Sequence, residues 1–599
     1  MLEVKQNKAR MAAGLDGIWN FRLDGSEAEA EGYQPGPLKD ADPVAVPASY
    51  NDQKDDIRYR DYYGVSLYQR EMEIPALWQG QRIFLRFEAV AHRARVWVDK
   101  TLVCAHTGGF LPFEAELTGL GLAGKKALLT VAVDNRVDHS TLPAGNDPME
   151  VAFFGSDNAG IPSVEQAKTE QKLQNRPNFD FFNYCGIFRP VTLYTTPKTR
   201  IADVTISGDL EGKVDYSLTI EEQGGQEAQV AVYDMEGRRV AEGRGNSGRL
   251  VIPEPQLWWP WPGTPYLYQA EISCGGDSYR QTFGLRTVRV EGTRLLINEK
   301  PFYFKGFGKH EDSFFRGRGL DQCLNVKDVN LIHWLGANSF RTSHYPYAQE
   351  MYDLCDREGI VVIDETPAVG LNMGGAANPY GYGTMEHHKQ VIEDLIARDK
   401  NHPCVVMWSL GNEPDLEHFP QEAYDYWRPL YELAHKEDPQ DRPVTLVCCQ
   451  NDYTKDITTR TMDVVCLNRY YGWYNLSGDL DAACRGWNIE LDFWESQGKP
   501  VMLTEYGADC VAGLHQAVPG MFSEEYQAEY YQRINGECDK RDFLIGEQVW
   551  NFADFATIQG PMRVIGNRKG LFTRDRTPKL AAHELRKRWK GIPNFGYKG

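Results

Sequence analysis

The sequence predicts a multidomain protein with three units in chain order: an N-terminal jelly-roll-like β-sandwich, an immunoglobulin-like β-sandwich and a C-terminal (β/α)8 TIM barrel. Three observations predict it. The chain has 599 residues, too many for one hydrophobic core. Short runs of alternating apolar and polar residues fill its first half, whereas apolar runs alternate with long helical patterns in the second.

The first unit spans residues 1–196. Ile83-Phe84-Leu85-Arg86-Phe87 and Ala94-Arg95-Val96-Trp97-Val98 show the two-residue period of strands that bury one face. Thr195-Thr196-Pro197 closes the last of these runs, because proline cannot extend a ladder of backbone donors. The second unit, 197–288, is again strand-rich and has the size of an immunoglobulin-like sandwich.

The third unit, 289–599, carries eight strand-like runs at 302–305, 337–341, 360–364, 404–409, 443–448, 463–468, 500–505 and 544–550. Helical patterns at 347–358, 387–400, 422–436 and 524–538 separate several of them. Eight such units match a (β/α)8 barrel, whose active site forms at the C-terminal strand ends. The residues placed there are His344, Glu365, Asn412, Glu413, Tyr470, Glu505 and Trp550.

Composition narrows the function. A net charge of −19 leaves nucleic-acid and anionic-membrane binding without an electrostatic basis. No apolar h-region follows Met1 and no stretch approaches 18 apolar residues, so the expectation is a cytoplasmic protein. Twelve cysteines without metal-ligand spacing read as free thiols, and no metal or other cofactor is expected.

Asn412-Glu413-Pro414 follows run four, and run seven closes on Glu505 ahead of Tyr506-Gly507. Two acids across one barrel mouth suit glycosidic bond cleavage, in which one carboxyl protonates the leaving oxygen while the other is ionised. A separation of about 5–5.5 Å gives a covalent, retaining reaction and about 6.5–9.5 Å an inverting one. Asn412 offers an amide to a sugar hydroxyl, and Tyr470 a phenol to the ionised acid. Tyr470, Tyr471, Trp473 and Tyr474 crowd one strand end, as a sugar-facing aromatic cluster would.

The segments 338–346 through Asp364-Glu365, and 399–403 through Asn412-Glu413, resemble the two signatures of glycoside hydrolase family 2. Trp550-Asn551-Phe552-Ala553-Asp554-Phe555, followed by Arg563 and Gly566-Asn567-Arg568-Lys569-Gly570, is similar to the β-glucuronidases within that family. The resemblance implies hydrolysis of glucuronides with Glu413 as acid/base and Glu505 as nucleophile, and Asn567 with Lys569 reading the C6 carboxylate beside Arg563. It further implies that Asp180 is lent by the sandwich to sugar hydroxyls, and that His344, Tyr474 and Trp550 are wall residues. His310 and Glu365 become neighbours of less defined role, and a homodimer or homotetramer the assembly.

The substrates implied are small glucuronide conjugates or glucuronide-ended oligosaccharides. A β-galactosidase or mixed uronidase is the rival within enzymes, and a non-catalytic carbohydrate-binding protein the rival outside them. Between Thr366 and Thr384 the loop after run three is short and holds five glycines, which resembles a reduced form of a longer loop covering the mouth in some bacterial relatives. An open rim for bulky leaving groups, or closure by a neighbouring subunit, both fit this shortening.

Overall fold

The computed structural model describes residues 1–146, 162–168, 174–449 and 452–598. Within the first unit, a six-stranded antiparallel sheet built around Val65–Glu73 and Lys126–Asp134 faces a four-stranded sheet built around Arg82–Phe87 and Val191–Thr196. Alternate residues of the two, such as Val96, Leu129 and Val131 from one and Ile83, Leu85 and Leu193 from the other, share one buried core. The second unit stacks a three-stranded sheet containing Arg200–Gly208 on a four-stranded sheet containing Tyr268–Cys274, over a core of its own. This is the immunoglobulin-like arrangement expected.

The barrel closes with eight parallel strands: β1 Phe304–Lys309, β2 Ser339–Thr342, β3 Val361–Glu365, β4 Val405–Asn412, β5 Val444–Cys448, β6 Val465–Asn468, β7 Val501–Glu505 and β8 Leu544–Val549. β8 pairs with β1 through Phe304 and Gly546. Gly306 is required here, because a β-carbon would lie 1.9 Å from the Ser339 carbonyl oxygen of β2. The flanking helices include Gln322–Leu335, Leu480–Glu495 and Glu524–Cys538, capped by Asp321, Asp479 and Ser523, whose side chains accept backbone N–H groups of the first turn.

Two details differ from the sequence reading. The first run, set at 302–305, is displaced to Phe304–Lys309, because Lys300 and Pro301 are spent on an antiparallel pairing with Ile297 and Leu296. The strand then continues through two lysines that look terminal in sequence. Lys305 Nζ donates to the Trp589 and Ile592 carbonyls at 3.1 and 2.6 Å, and Lys309 pairs with Asp328 at 3.0 Å, so both are buried with partners. The other difference is in run four, set at 404–409, which extends as β4 to Asn412 because Asn412 pairs with Val447 of β5.

Candidate active site

Strand ends set the positions of the two acids. Glu413 follows the last residue of β4 with φ at 53°, the left-handed region that residues bearing a β-carbon rarely occupy. Its N–H donates to the Val447 carbonyl of β5 at 2.9 Å, which pins this turn to the neighbouring strand. Glu505 is the final residue of β7 and is 3% exposed. Both acids line a cavity of about 620 Å³ between the barrel mouth and the first sandwich.

Hydrogen-bond donors are distributed unequally between these carboxyls. Arg341, at 0% exposure on β2, donates through Nη1 to both oxygens of Glu365, at 2.8 and 2.7 Å, and through Nη2 to Glu505. Tyr470 OH donates to the other Glu505 oxygen at 2.8 Å. Glu413 accepts from the amide of Asn468 at 2.9 Å. The same amide nitrogen reaches the Asn412 oxygen at 3.1 Å, and Arg341 approaches that oxygen at 3.3 Å. With its oxygen engaged in this way, Asn412 has its amide N–H2 left for the cavity.

Burial raises the Glu505 carboxyl, Arg341 opposes the rise, and the neighbouring Glu413 adds to it. Glu413 is raised chiefly by burial as well, against the hydrogen bond from Asn468. Two carboxyls in one desolvated cleft thus hold a proton more tightly than free ones. Glu365 behaves oppositely: burial disfavours its charge, but Arg341, His344 and Ser409 outweigh burial and keep it below the usual range. His344 is lowered to about 4, first by burial, and its ring stacks on Trp550 at 5.1 Å. Gly308 of β1 makes room for that stack, since a β-carbon there would meet the Trp550 ring at 2.5 Å.

A second network forms the wall contributed by the loop after β8. Arg563 donates to both oxygens of Asp180, at 2.8 and 2.5 Å, and to Tyr474 OH at 2.9 Å. Asn567 donates to Asp180 at 2.8 Å and accepts the Lys569 N–H at 3.0 Å. Lys569 Nζ donates to Tyr474 OH at 2.9 Å and to Asp509, and lies 5.2 Å from the centre of the Trp473 ring. The basic cluster is therefore neutralised from within, two cations against Asp180 and Asp509.

Of the residues singled out in the sequence, Asp180, His344, Asn412, Glu413, Tyr470, Tyr474, Glu505, Trp550 and Arg563 line the cavity. Asn567 and Lys569 lie one step behind it, at 1% and 0% exposure, and reach it through Asp180 and Tyr474. Glu365 also sits behind the wall, and His310 packs its ring 5.5 Å from that of His344. Sequence reasoning missed three residues: Arg341, Asn468 and Asp509. Only Arg341 left a signal, as a lone charge closing a run that reads as a buried barrel strand and so demands a buried partner.

The short loop after β3 lines the cavity through Val369, Gly370 and Asn372. Asn178 of the sandwich holds it by donating to the Gly370 carbonyl at 2.8 Å and to that of Asn372. Among the described residues one group has metal-ligand geometry, Asp356, His402 and Cys404, remote from the cavity lining and buried. Burial opposes a charged His402, yet Asp356 raises it to about 9 through a 2.6 Å contact, so this cluster already works as an ion pair.

Paired carboxyls at two strand ends, in a cavity walled by amides and rings, make an arrangement for cleaving glycosidic bonds. The chain belongs to glycosyl hydrolases family 2: residues 12–197 match its sugar binding domain, 190–286 its middle domain and 288–594 its TIM barrel domain. A β-glucuronidase of Paenibacillus borealis is 45% identical over 605 residues, 98% of each chain. Among solved structures, Faecalibacterium prausnitzii β-glucuronidase is 63% identical with a TM-score of 0.97, covering 99% of this chain and 100% of that one. A Bifidobacterium dentium β-glucuronidase, complexed with coumarin-3-O-glucuronide, is 55% identical with a TM-score of 0.95 and covers all of both chains.

Proposed function

We propose that the protein is a retaining β-glucuronidase, hydrolysing β-D-glucuronides to glucuronic acid and an aglycone. The observation that carries this reading is the meeting of Glu413 and Glu505 on one cavity beside the Arg563, Asn567 and Lys569 network. The relatives named β-glucuronidase support it, including one complexed with a glucuronide.

Glu505 attacks C1. A cationic donor and a phenol aim at its two oxygens, whereas Glu413 has a neutral amide, so these donors favour the ionised form of Glu505 against the burial that raises its carboxyl. Glu413 gives its proton to the departing oxygen, and the bond from C1 to the aglycone breaks as that from C1 to Glu505 forms. Water then attacks C1 with Glu413 as base, releasing Glu505. The Asn412 amide donates to the 2-hydroxyl, a contact that tightens as positive charge develops at C1.

Lys569 and Asn567 each retain an N–H beyond those used by Asp509, Tyr474 and Asp180, and with Arg563 they receive the C6 carboxylate. His344, Tyr470, Tyr474 and Trp550 form the walls. No step calls on a cofactor. The working domain division is 1–196, 197–288 and 289–599, supported by separate cores in the two sandwiches.

Following hydrolysis of p-nitrophenyl β-D-glucuronide by proton NMR tests the reading. The β-anomer of glucuronic acid should appear before mutarotation. First release of the α-anomer would sink retention, and no turnover would sink the activity.

The reading also takes the protein as a cytoplasmic homo-oligomer, a dimer or tetramer. Twelve cysteines outside any disulfide support a reducing compartment, and among the described residues no helix is long and apolar enough to cross a membrane. The family supports the assembly, which sedimentation velocity measures. Initial rates on glucuronides of increasing leaving-group size test the mouth left by the short loop.

A further inference from the structure

Asp180 belongs to the sandwich, yet its carboxylate rests on barrel donors. Arg563 holds both its oxygens, Nε to Oδ1 at 2.8 Å and Nη2 to Oδ2 at 2.5 Å, and Asn567 donates to Oδ2 at 2.8 Å. These are two of the three groups assigned above to the sugar carboxylate. We infer that Asp180 is an internal stand-in for that carboxylate, so that uronate recognition is an exchange of one carboxylate for another. The inference rests on the functional reading above and deepens it.

The physical reason is the burial of the donors. The Arg563 side chain is 2% exposed and that of Lys569 0%, and a buried cation without an anion is strongly unfavourable. Asp180 and Asp509 supply the anions. Their settings differ: Asp509 is 3% exposed and anchored by the Arg568 N–H at 2.8 Å, whereas Asp180 is 15% exposed and lines the cavity. Asp180 is therefore the one placed to yield.

A uronate arriving at Arg563 brings a like charge beside Asp180, and the repulsion drives Asp180 toward the ring hydroxyls, which donate to it. A neutral sugar has no carboxylate to displace Asp180, which stays on Arg563. Reading the carboxylate and reading the hydroxyls are thereby coupled, and the neutral sugar loses both contacts together.

The test uses tetrahydropyran-2-carboxylate, a sugar-like ring with the carboxylate and no hydroxyls, and its neutral counterpart tetrahydropyran-2-methanol. Binding of each to the full-length protein is measured by calorimetry. Replacing the stand-in, Asp180→Asn, should tighten the carboxylate probe at least tenfold and leave the alcohol unchanged, while Asp180→Glu keeps the anion and stays near the wild type.

A residue serving only hydroxyls would leave the carboxylate probe within tenfold of wild type in Asp180→Asn, and a purely structural residue would weaken it. Either result overturns the inference, as does equal tightening of both probes. Asp180→Ala supplies the same comparison if the asparagine variant does not fold. Wild-type turnover of p-nitrophenyl β-D-glucuronide is measured first, because its absence defeats the functional reading rather than the exchange.

Discussion

Arg341 ties Glu365 to Glu505: one guanidinium nitrogen spans both oxygens of Glu365, at 2.8 and 2.7 Å, while the other donates to Glu505. A permanent cation is thus fixed beneath the proposed nucleophile by an acid that lies outside the cavity lining. The pairing lowers the proton affinity of Glu505 against the burial that raises it.

Removing that cation should therefore be felt twice. Arg341→Gln leaves Glu365 and Glu505 buried without their counter-ion, which costs about 3–5 kcal/mol of stability for a broken buried pair. In the folded fraction Glu505 holds its proton to higher pH, so the acid limb of kcat/KM against pH moves upward. Denaturant unfolding and a pH–rate profile check both, and an unmoved acid limb would count against Arg341 as the group that keeps Glu505 ionised.

Tyr470→Phe removes one donor from Glu505 while keeping the ring. A hydrogen bond to a charged group contributes about 1.5–3 kcal/mol, so kcat should fall by roughly ten- to 150-fold with little change in melting temperature. Steady-state kinetics at the pH optimum measures it.

Lys569→Ala separates the uronidase reading from its neutral-sugar rival. Loss of a charge-assisted contact of about 1.5–3 kcal/mol should lower kcat/KM for a glucuronide ten- to 150-fold more than for the matching galactoside. Equal losses on both substrates would end the claim that this loop reads a carboxylate.

Glu505→Gln should abolish turnover, and residual kcat above about a hundredth of wild type would argue against a nucleophilic role. It should also stabilise the protein in a pH-dependent way. The folded pKa of Glu505 lies above its unfolded value, so its contribution to stability is fully present below about 4.5 and is lost as pH rises through the elevated folded value. Glutamine has no such loss. Melting temperatures of the two proteins should converge near pH 4 and separate increasingly toward pH 8, with the variant higher.

Much of the site was legible in the chain because barrel chemistry sits where strands end. Glu413 and Glu505 were placed by counting apolar runs, and an error of two residues at the start and four at the end of the first run did not disturb them, because each strand end is marked by its own local words. The resemblance to a family located Asp180, Asn567 and Lys569, which no periodicity would have singled out.

Asn468 and Asp509 escaped notice, since an amide at the end of β6 and an acid in the loop after β7 look ordinary until their partners are known. The sequence by itself determined the order of domains, the two acids and the cluster of basic and aromatic residues near them, all of which depend on local pattern. Tertiary structure alone decided which donor meets which carboxylate, and that Asp180 crosses from the sandwich to lie on Arg563. Hydrogen bonds and buried charges are settled by groups as far apart as 24 residues for Arg341 and Glu365 and 383 for Arg563 and Asp180, and only packing brings those groups together.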